Sequence, residues 1–452
     1  MTSIEGVISS VQNSRLVRLC MVGALALILL IPVAMIGFLV SERHERRDAA
    51  IEEVSEKWGR AQTLTGPALI LPYAVRRVET VNGKEVVRQD TGHAVFLPKR
   101  LKVTGRIDSE SRSRGIFSIA VYRTDLTVEG EFSRPNLAEV DVDPGSIFWN
   151  RAHLAIGITD VRAIRGQSEV AWNGSPQQFL PGTNGFSEGG SGIHALVHVS
   201  PEDSSFKFSF PLSLNGSVGL YLTPFAEDTS VQLASNSPFP NFQGNWLPSE
   251  RTVSANGFDA TWRLSYLGRD YPQWWTRGSD FRKPIAASRF GVEMADPVDH
   301  YRMADRSVKY AILFILLTFA FAWLIEVTAG VRVHPIQYLL LGAALCVFYL
   351  LELSLSEHLT FPVAYSVASL AVIGMIAAYS RVIFGRVRLA GVISATVTVL
   401  YGYLFVLLTN EDAALLVGSI GLFVILGAIM FLTRRVNWYS AANTARESTE
   451  SV

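Results

Sequence analysis

The chain has 452 residues, 49% of them apolar, and 40 Lys and Arg balance 40 Asp and Glu. An even charge balance argues against a nucleic-acid partner, and the apolar excess is more than one soluble domain needs, so part of the chain is solvated by lipid. The excess lies in one run near the N-terminus and five runs between Val308 and Leu432, whereas Ser41 to Ser307 has ordinary soluble composition.

In chain order, residues 1–18 read as a cytoplasmic tail and residues 19–40 as a first transmembrane helix. A hydrocarbon core of ~30 Å needs ~20 apolar residues in a helix, and this run contains no charge. It is long for the apolar part of a cleaved signal, and "IGFLVSERHERR" has no small-x-small cleavage pattern, so it reads as an uncleaved anchor. Cys20 lies at the start of the run, which excludes a lipoprotein signal. The other cysteine, Cys346, also falls in an apolar run, so the central region has neither a disulfide nor a thiolate metal site.

Residues 41–307 read as an exported β-rich domain. In "IEEVSEKWGRAQTLTGPALILPY", Ile51, Val54 and Trp58 recur at helical spacing, which predicts an amphipathic stalk helix; a break at Gly66-Pro67 then leads into a strand. In "AVRRVETVNGKEVVRQD", Val75, Val78 and Val81 face Val86 and Val87 across Asn82-Gly83, the signature of a hairpin with a tight turn. Alternation continues through "GIFSIAVYRTDLTVEGEF", "FKFSFPLSLNGSVGLYL" and "GFDATWRLSYL". Many strands and little helix predict one or two antiparallel, sandwich-like modules. The Gly-rich "PGTNGFSEGGSGIH" is a candidate break between them.

The C-terminal block divides into five spans at 308–327, 336–356, 361–380, 389–408 and 413–432, followed by a tail at 433–452. Arg15, Arg18, Arg332, Arg381, Arg386, Arg388, Arg434 and Arg435 fall on one side, while "SEHLTF" and "TNEDAA" on the other carry no Lys or Arg. By the loop-charge rule both termini are cytoplasmic and the central domain is periplasmic. Arg43, Arg46, Arg47, Arg302, Arg306 and Lys309 oppose this, but they flank the long domain, whose translocation depends little on charge.

Candidate chemistry is sparse. His194 and His198 have the H-x-x-x-H spacing that chelates zinc from a helix, but their segment reads as a strand, which separates the rings by ~13 Å. The glycines of "EGGSGIH" lack the Lys-Ser/Thr ending of a phosphate-binding loop. Neither G-x-S-x-G nor H-E-x-x-H occurs, and Asp160, Asp259 and Asp299 are scattered acids of a kind any large domain carries. No catalytic residue, metal or cofactor is called for.

Ionisable residues in the apolar block stand out more, because a charge at the bilayer centre costs roughly 2.5–3.5 kcal/mol on insertion scales. Glu326, at the end of the second span near Arg332, reads as interfacial. Glu352 lies ~24 Å along the third span at ~1.5 Å per residue, in the outer leaflet, where a carboxyl snorkels, accepts from Ser356, or holds a proton. Glu357 and His358, with Asn410, Glu411 and Asp412 of the other outer loop, form a candidate acidic rim for a cation, a lipid headgroup or a passing substrate.

The order of one anchor, a large exported domain and five spans carries a resemblance through "TLTGPALILPY", "RGIFSIAVYRTDL" and "GFDATWRLSYL". It continues in "PVDHYRMADRSVKYAILFILLTFAFAWLIE", "RVHPIQYLLLGAALCVFYLLELSLSEH" and "TRRVNWYS". Together these cover almost the whole chain, which resembles the CreD family of cell envelope integrity proteins. That resemblance implies an inner membrane location and a contribution to envelope integrity, colicin tolerance and the response to β-lactam stress, with expression linked to a two-component system. It implies no catalytic residues. Ser356, Glu357 and His358 match the family's pattern, and Glu352 stands outside it.

Three functions follow as expectations. The first is a non-enzymatic membrane protein whose partners are the lipid bilayer and envelope or peptidoglycan-related proteins or lipids. The second is a transporter or lipid-handling protein, which requires a polar cavity among the spans. The third is an envelope enzyme, for which only Glu357 and His358 speak.

Overall fold

The structure, a computed structural model, describes residues 15–81, 84–184, 186, 190–276, 280–294, 300–331, 333–410 and 413–434. The chain divides into two compact units, Asp48–Pro297 and a helical unit formed by Met1–Arg47 with Val298–Val452. In chain order the elements are helices α1 (Arg15–Ile28) and α2 (Leu30–Trp58), then strands β1 (Gln62–Val81), β2 (Lys84–Phe96), β3 (Arg100–Arg114), β4 (Phe117–Ser133), β5 (His153–Ile158), β6 (Glu169–Trp172), β7 (Ser175–Gln178), β8 (Leu180–Pro181), β9 (Gly192–Leu196), β10 (Ser205–Ser217), β11 (Gly219–Leu222), β12 (Asp228–Ser235), β13 (Pro240–Gly244), β14 (Glu250–Ser254), β15 (Gly257–Ser265) and β16 (Trp274–Trp275). A short helix α3 (Arg282–Ala287) and strand β17 (Phe290–Met294) precede α4 (His300–Ala329), α5 (Pro335–Ser356), α6 (Phe361–Phe384), α7 (Val387–Thr409) and α8 (Ala414–Thr433).

The strands form two sheets. One has the order β13-β17-β11-β1-β5-β9-β8, with β2 on β1 and β16 on β2; the other runs β14-β15-β12-β3-β4-β10-β6-β7. Alternation in the sequence decides which side chains point inward: along β10, Phe206, Phe208, Phe210, Leu212 and Leu214 are buried while the intervening residues are more open. These join Leu69 and Leu71 of β1 in a single core, and Trp262 of β15 packs 5.7 Å from Phe290 of β17, ring to ring between the sheets. Each fully buried aromatic of this kind contributes roughly 1.5–3 kcal/mol. The sandwich expectation therefore holds, with one difference. Most pairs are antiparallel, but β1 with β11 and β3 with β12 are parallel, brought together by long connections that local alternation does not encode.

Locally the strands add detail to the expected pattern and depart from it in two places. The predicted hairpin forms with Val81 opposite Lys84, and its turn residues Asn82 and Gly83 lie outside the described residues. Gly66-Pro67 does not end an element: β1 runs through it, and the register with β5 shifts between Thr65 and Ala68. Proline lacks an N–H for the ladder, and a bulge is where a strand tolerates that. The stretch "FKFSFPLSLNGSVGLYL" is two strands in different sheets, β10 and β11, separated by Val218 at φ 64°.

The stalk is not a separate helix. α2 continues without a break from the apolar run to Trp58, where Gly59 (φ 138°) ends it; a Cβ there would lie 2.9 Å from the Asn215 carbonyl oxygen. Its last turns dock on β4, with Ala50 packing against Ile119 and Val121. Trp58 donates to the Tyr122 carbonyl at 3.2 Å and carries the Arg112 guanidinium 3.6 Å over its ring.

In the helical unit, α4 packs on α5 and α7, α6 packs between α5 and α7, and α1 lies against α4 and α5. Pro32 cannot donate to Ile28, which accounts for the interruption at Leu29 between α1 and α2. Helix α8 packs on α7, where the Tyr403 hydroxyl donates to the Val417 carbonyl at 2.9 Å. None of its residues is buried. The five predicted spans are thus unequal: four form a packed ring, and the last is almost wholly solvated from outside. Among the described residues six helices are long and apolar enough to cross a membrane. Phe38, Val382 and Phe423, all more than 75% exposed, would be a liability in water and are ordinary in lipid.

Candidate functional site at the ends of the helices

Helix α5 carries the acids singled out above, and its local sequence fixes its position. Pro335 sits in the first turn, the His334 side chain accepts from Ile336, and Gln337 reaches back to the His334 backbone at 2.9 Å, a reciprocal cap. At the other end Glu357 is the C-cap residue.

Glu352 is only 1% exposed. Its Oε2 accepts from Ser307 Oγ of α4 at 2.6 Å, and among the described residues its Oε1 has no hydrogen-bond partner. This corrects the expectation that Glu352 snorkels or accepts from Ser356. Ser356 Oγ donates to the Leu353 carbonyl at 2.8 Å, as a serine one turn further along its own helix readily does, and Ser307 on the neighbouring helix takes its place. Phe348, one turn earlier on the same face of α5, packs against Tyr401 at 4.4 Å and Tyr365 at 5.3 Å, so Glu352 adjoins an aromatic layer. Tyr365 closes that layer by donating to the Tyr401 carbonyl at 2.6 Å.

Glu357 is not a free rim acid. It accepts from the Tyr301 hydroxyl at 3.2 Å and lies 3.6 Å from Arg43 Nε, which ties the middle of α2 to the start of α4 and the end of α5. His358 is exposed, and Glu411 and Asp412 lie outside the described residues. Asn410 bonds locally, its side-chain amide donating to the Val406 carbonyl at 2.9 Å. Arg306 donates to the Leu407 and Leu408 carbonyls at the end of α7, at 3.0 and 3.3 Å, where a cation complements the helix dipole.

Glu326, expected at the interface from its place in the sequence, is a second buried acid. It is 6% exposed, forms an ion pair with Arg18 of α1, and accepts from the Tyr338 hydroxyl at 2.8 Å. Arg332, the neighbour expected from the sequence, lies outside the described residues. Sequence spacing has no means of finding Ser307, Arg43 or Arg18 as partners, since each is far along the chain from its acid.

In the β unit, His194 lies in β9 as the strand reading requires; it is buried with Nδ1 2.7 Å from the Gly182 carbonyl, whereas His198 is exposed beyond the strand. The neighbour of His194 is His153 of β5, with ring centroids 5.5 Å apart. His153 is 2% exposed, its Nε2 has no hydrogen-bond partner among the described residues, and burial pushes its imidazole down to about 4. Among the described residues no group of three or more His, Cys, Asp or Glu is placed to hold a metal ion. Asp160 pairs with Arg162 at 3.0 Å, Asp259 is exposed on β15 of the other sheet, and Asp299 lies outside the described residues. The glycines of "EGGSGIH" fall partly outside them as well.

The chain is 32% identical to "Inner membrane protein CreD" of Escherichia coli (strain K12) over 415 residues, which is 92% of this chain and 91% of the relative. A solved M1 zinc metallopeptidase from Deinococcus radiodurans matches at 9% identity with a TM-score of 0.21, covering 71% of this chain and 91% of that one; a likeness that slight carries no argument. The family model for inner membrane protein CreD matches residues 14–439. With six helices apolar enough to cross a membrane flanking a β-sandwich, the chain belongs to the CreD family of inner membrane proteins.

Proposed function

We propose that this is a non-enzymatic inner membrane protein that supports envelope integrity under β-lactam stress. On this reading the β-sandwich is periplasmic, both termini are cytoplasmic, and the sandwich engages envelope or peptidoglycan-related proteins or lipids. The observation that carries the reading is the union, in one member of this family, of a closed β-sandwich with a set of apolar helices. The orientation is supported by Arg381 in the last turn of α6, Arg386 in the connection, Arg388 in the first turn of α7 and Arg434 after α8, against "SEHLT" on the other side, which lacks Lys and Arg.

The test is deletion of the gene in its host followed by β-lactam challenge. Lower survival restored by the wild-type chain is the expected result, and survival equal to that of the parent overturns the reading. A second reading, transport or lipid handling by the helical unit, is favoured by the unpartnered oxygen of Glu352, because a buried ionisable residue between spans marks a candidate functional site. The double variant Glu352→Gln with Glu357→Gln tests it in the same assay. Lost complementation at normal protein level supports this second reading, and full complementation removes it.

A further inference from the structure

Two hydroxyl–carboxyl contacts join α4 to α5 as successive rungs. At the end of α5, Tyr301 donates to Glu357, which also has the Arg43 guanidinium at 3.6 Å. At the inner rung Ser307 donates to Glu352 Oε2 at 2.6 Å, and Glu352 Oε1 has no hydrogen-bond partner among the described residues. From Glu357 to Glu352 the helix runs ~7.5 Å at ~1.5 Å per residue, away from the charged end and into the apolar part of the span. Both members of the inner rung are buried, whereas the end rung lies beside an arginine.

The surroundings of Glu352 Oε1 limit what it can bind. The titratable groups within electrostatic reach are Tyr349 of α5, Tyr365 of α6 and Tyr401 of α7, and α4 presents Ser307. Arg306, next to Ser307, donates instead to the Leu407 and Leu408 carbonyls. A carboxylate charge without a cation is costly in such an interior, whereas a carboxylic acid is neutral. A hard metal ion asks for roughly six or more oxygen ligands, but the hydroxyls of Ser356 and Tyr365 are turned to the Leu353 and Tyr401 carbonyls. An organic ammonium needs a chamber among the rings, and Phe348 packs directly on Tyr401 and Tyr365, at 4.4 and 5.3 Å. A proton needs neither a ligand cage nor a chamber.

We propose that Glu352 is an exchangeable proton-binding site, in which Ser307 holds the carboxyl through Oε2 and the proton sits on Oε1. The proposal rests on the transport reading of this residue and names the ion handled there as a proton. The experiment is infrared spectroscopy of the full chain at pH 7 in a maltoside detergent, which has no carbonyl of its own. Exposed carboxyls are ionised at that pH, so a protonated-carboxyl C=O band reports a buried acid. The band is expected in the wild-type chain and in Glu357→Gln, is expected to vanish in Glu352→Gln, and should shift in D2O as the proton exchanges. Ser307→Ala, which removes the donor to Oε2, should move the band to higher frequency at unchanged intensity. A spectrum without the band, a band indifferent to Glu352→Gln, or one that does not shift in D2O overturns the proposal; a band unmoved by Ser307→Ala overturns the placement of the proton on Oε1. The two readings fail separately: the band with full complementation by the double variant removes transport and keeps the proton site, and no band with complementation lost removes the proton and keeps transport.

Discussion

Glu352 and Glu357 lie little more than one turn apart on α5, yet their surroundings differ completely. Glu357 has a guanidinium and a phenol within reach, while Glu352 has one serine hydroxyl and a hydrophobic wall. In the β unit, buried His153 sets up a comparable imbalance and a testable pH dependence. Burial lowers its pKa from 6.5 to about 4, with neighbouring His194 and His93 adding to the effect, against the Arg151 carbonyl, which works the other way. Between those values the unfolded chain binds the proton and the folded one does not, so stability is full above pH 6.5 and falls as the pH drops toward 4. Each tenfold loss of proton affinity on folding corresponds to ~1.4 kcal/mol, so the drop in stability reaches about 3 kcal/mol. Denaturant unfolding of the full chain at pH 7 and pH 4.5 should show this drop, and His153→Leu should flatten it; the same slope in the variant would show that other groups carry it.

At the scale of elements, helix contacts in the lipid-facing unit depend on small residues that let neighbours approach. Gly342 of α5 sits where α4 and the Leu29 junction meet it: a Cβ would lie 2.8 Å from Phe319 Cζ and press on Leu29. Gly374 of α6 has open space at the same position. Gly342→Ala is therefore expected to destabilise the helical unit by roughly 1–3 kcal/mol through overpacking, whereas Gly374→Ala should be neutral or gain up to about 1 kcal/mol from helix propensity. Thermal unfolding in detergent distinguishes them, and equal effects would discard the packing argument. Elements also show what the sequence makes legible. The apolar face of β10 and the reciprocal cap of α5 follow from local spacing, which a strand's period of two and a helix's first turn impose directly. The bulge at Gly66-Pro67 looks like a boundary in the sequence, because the same residues that end an element in isolation are tolerated inside a strand when its partner shifts register.

For the molecule as a whole, the proposed orientation makes its own prediction. With Cys20 and Cys346 replaced by serine, Leu247→Cys on the exposed surface of the β unit should react with a membrane-impermeant maleimide in cells whose outer membrane alone is permeabilised. Arg386→Cys, between α6 and α7, should react only after the inner membrane is broken. The reverse pattern would invert the topology. The amino-acid sequence by itself determined where the chain is apolar enough to cross a bilayer, which segments alternate as strands, and the order of these features along the chain, since each depends on residues within a turn or two of one another. Only the tertiary structure decided the parallel pairings of β1 with β11 and β3 with β12, the crossing of the chain between sheets at Val218, and the partners of the buried acids. Ser307 meets Glu352, and Arg18 meets Glu326, across long stretches of chain. Such contacts follow from how whole helices pack, and the cost of closing a long loop changes too slowly with its length to favour one distant partner over another.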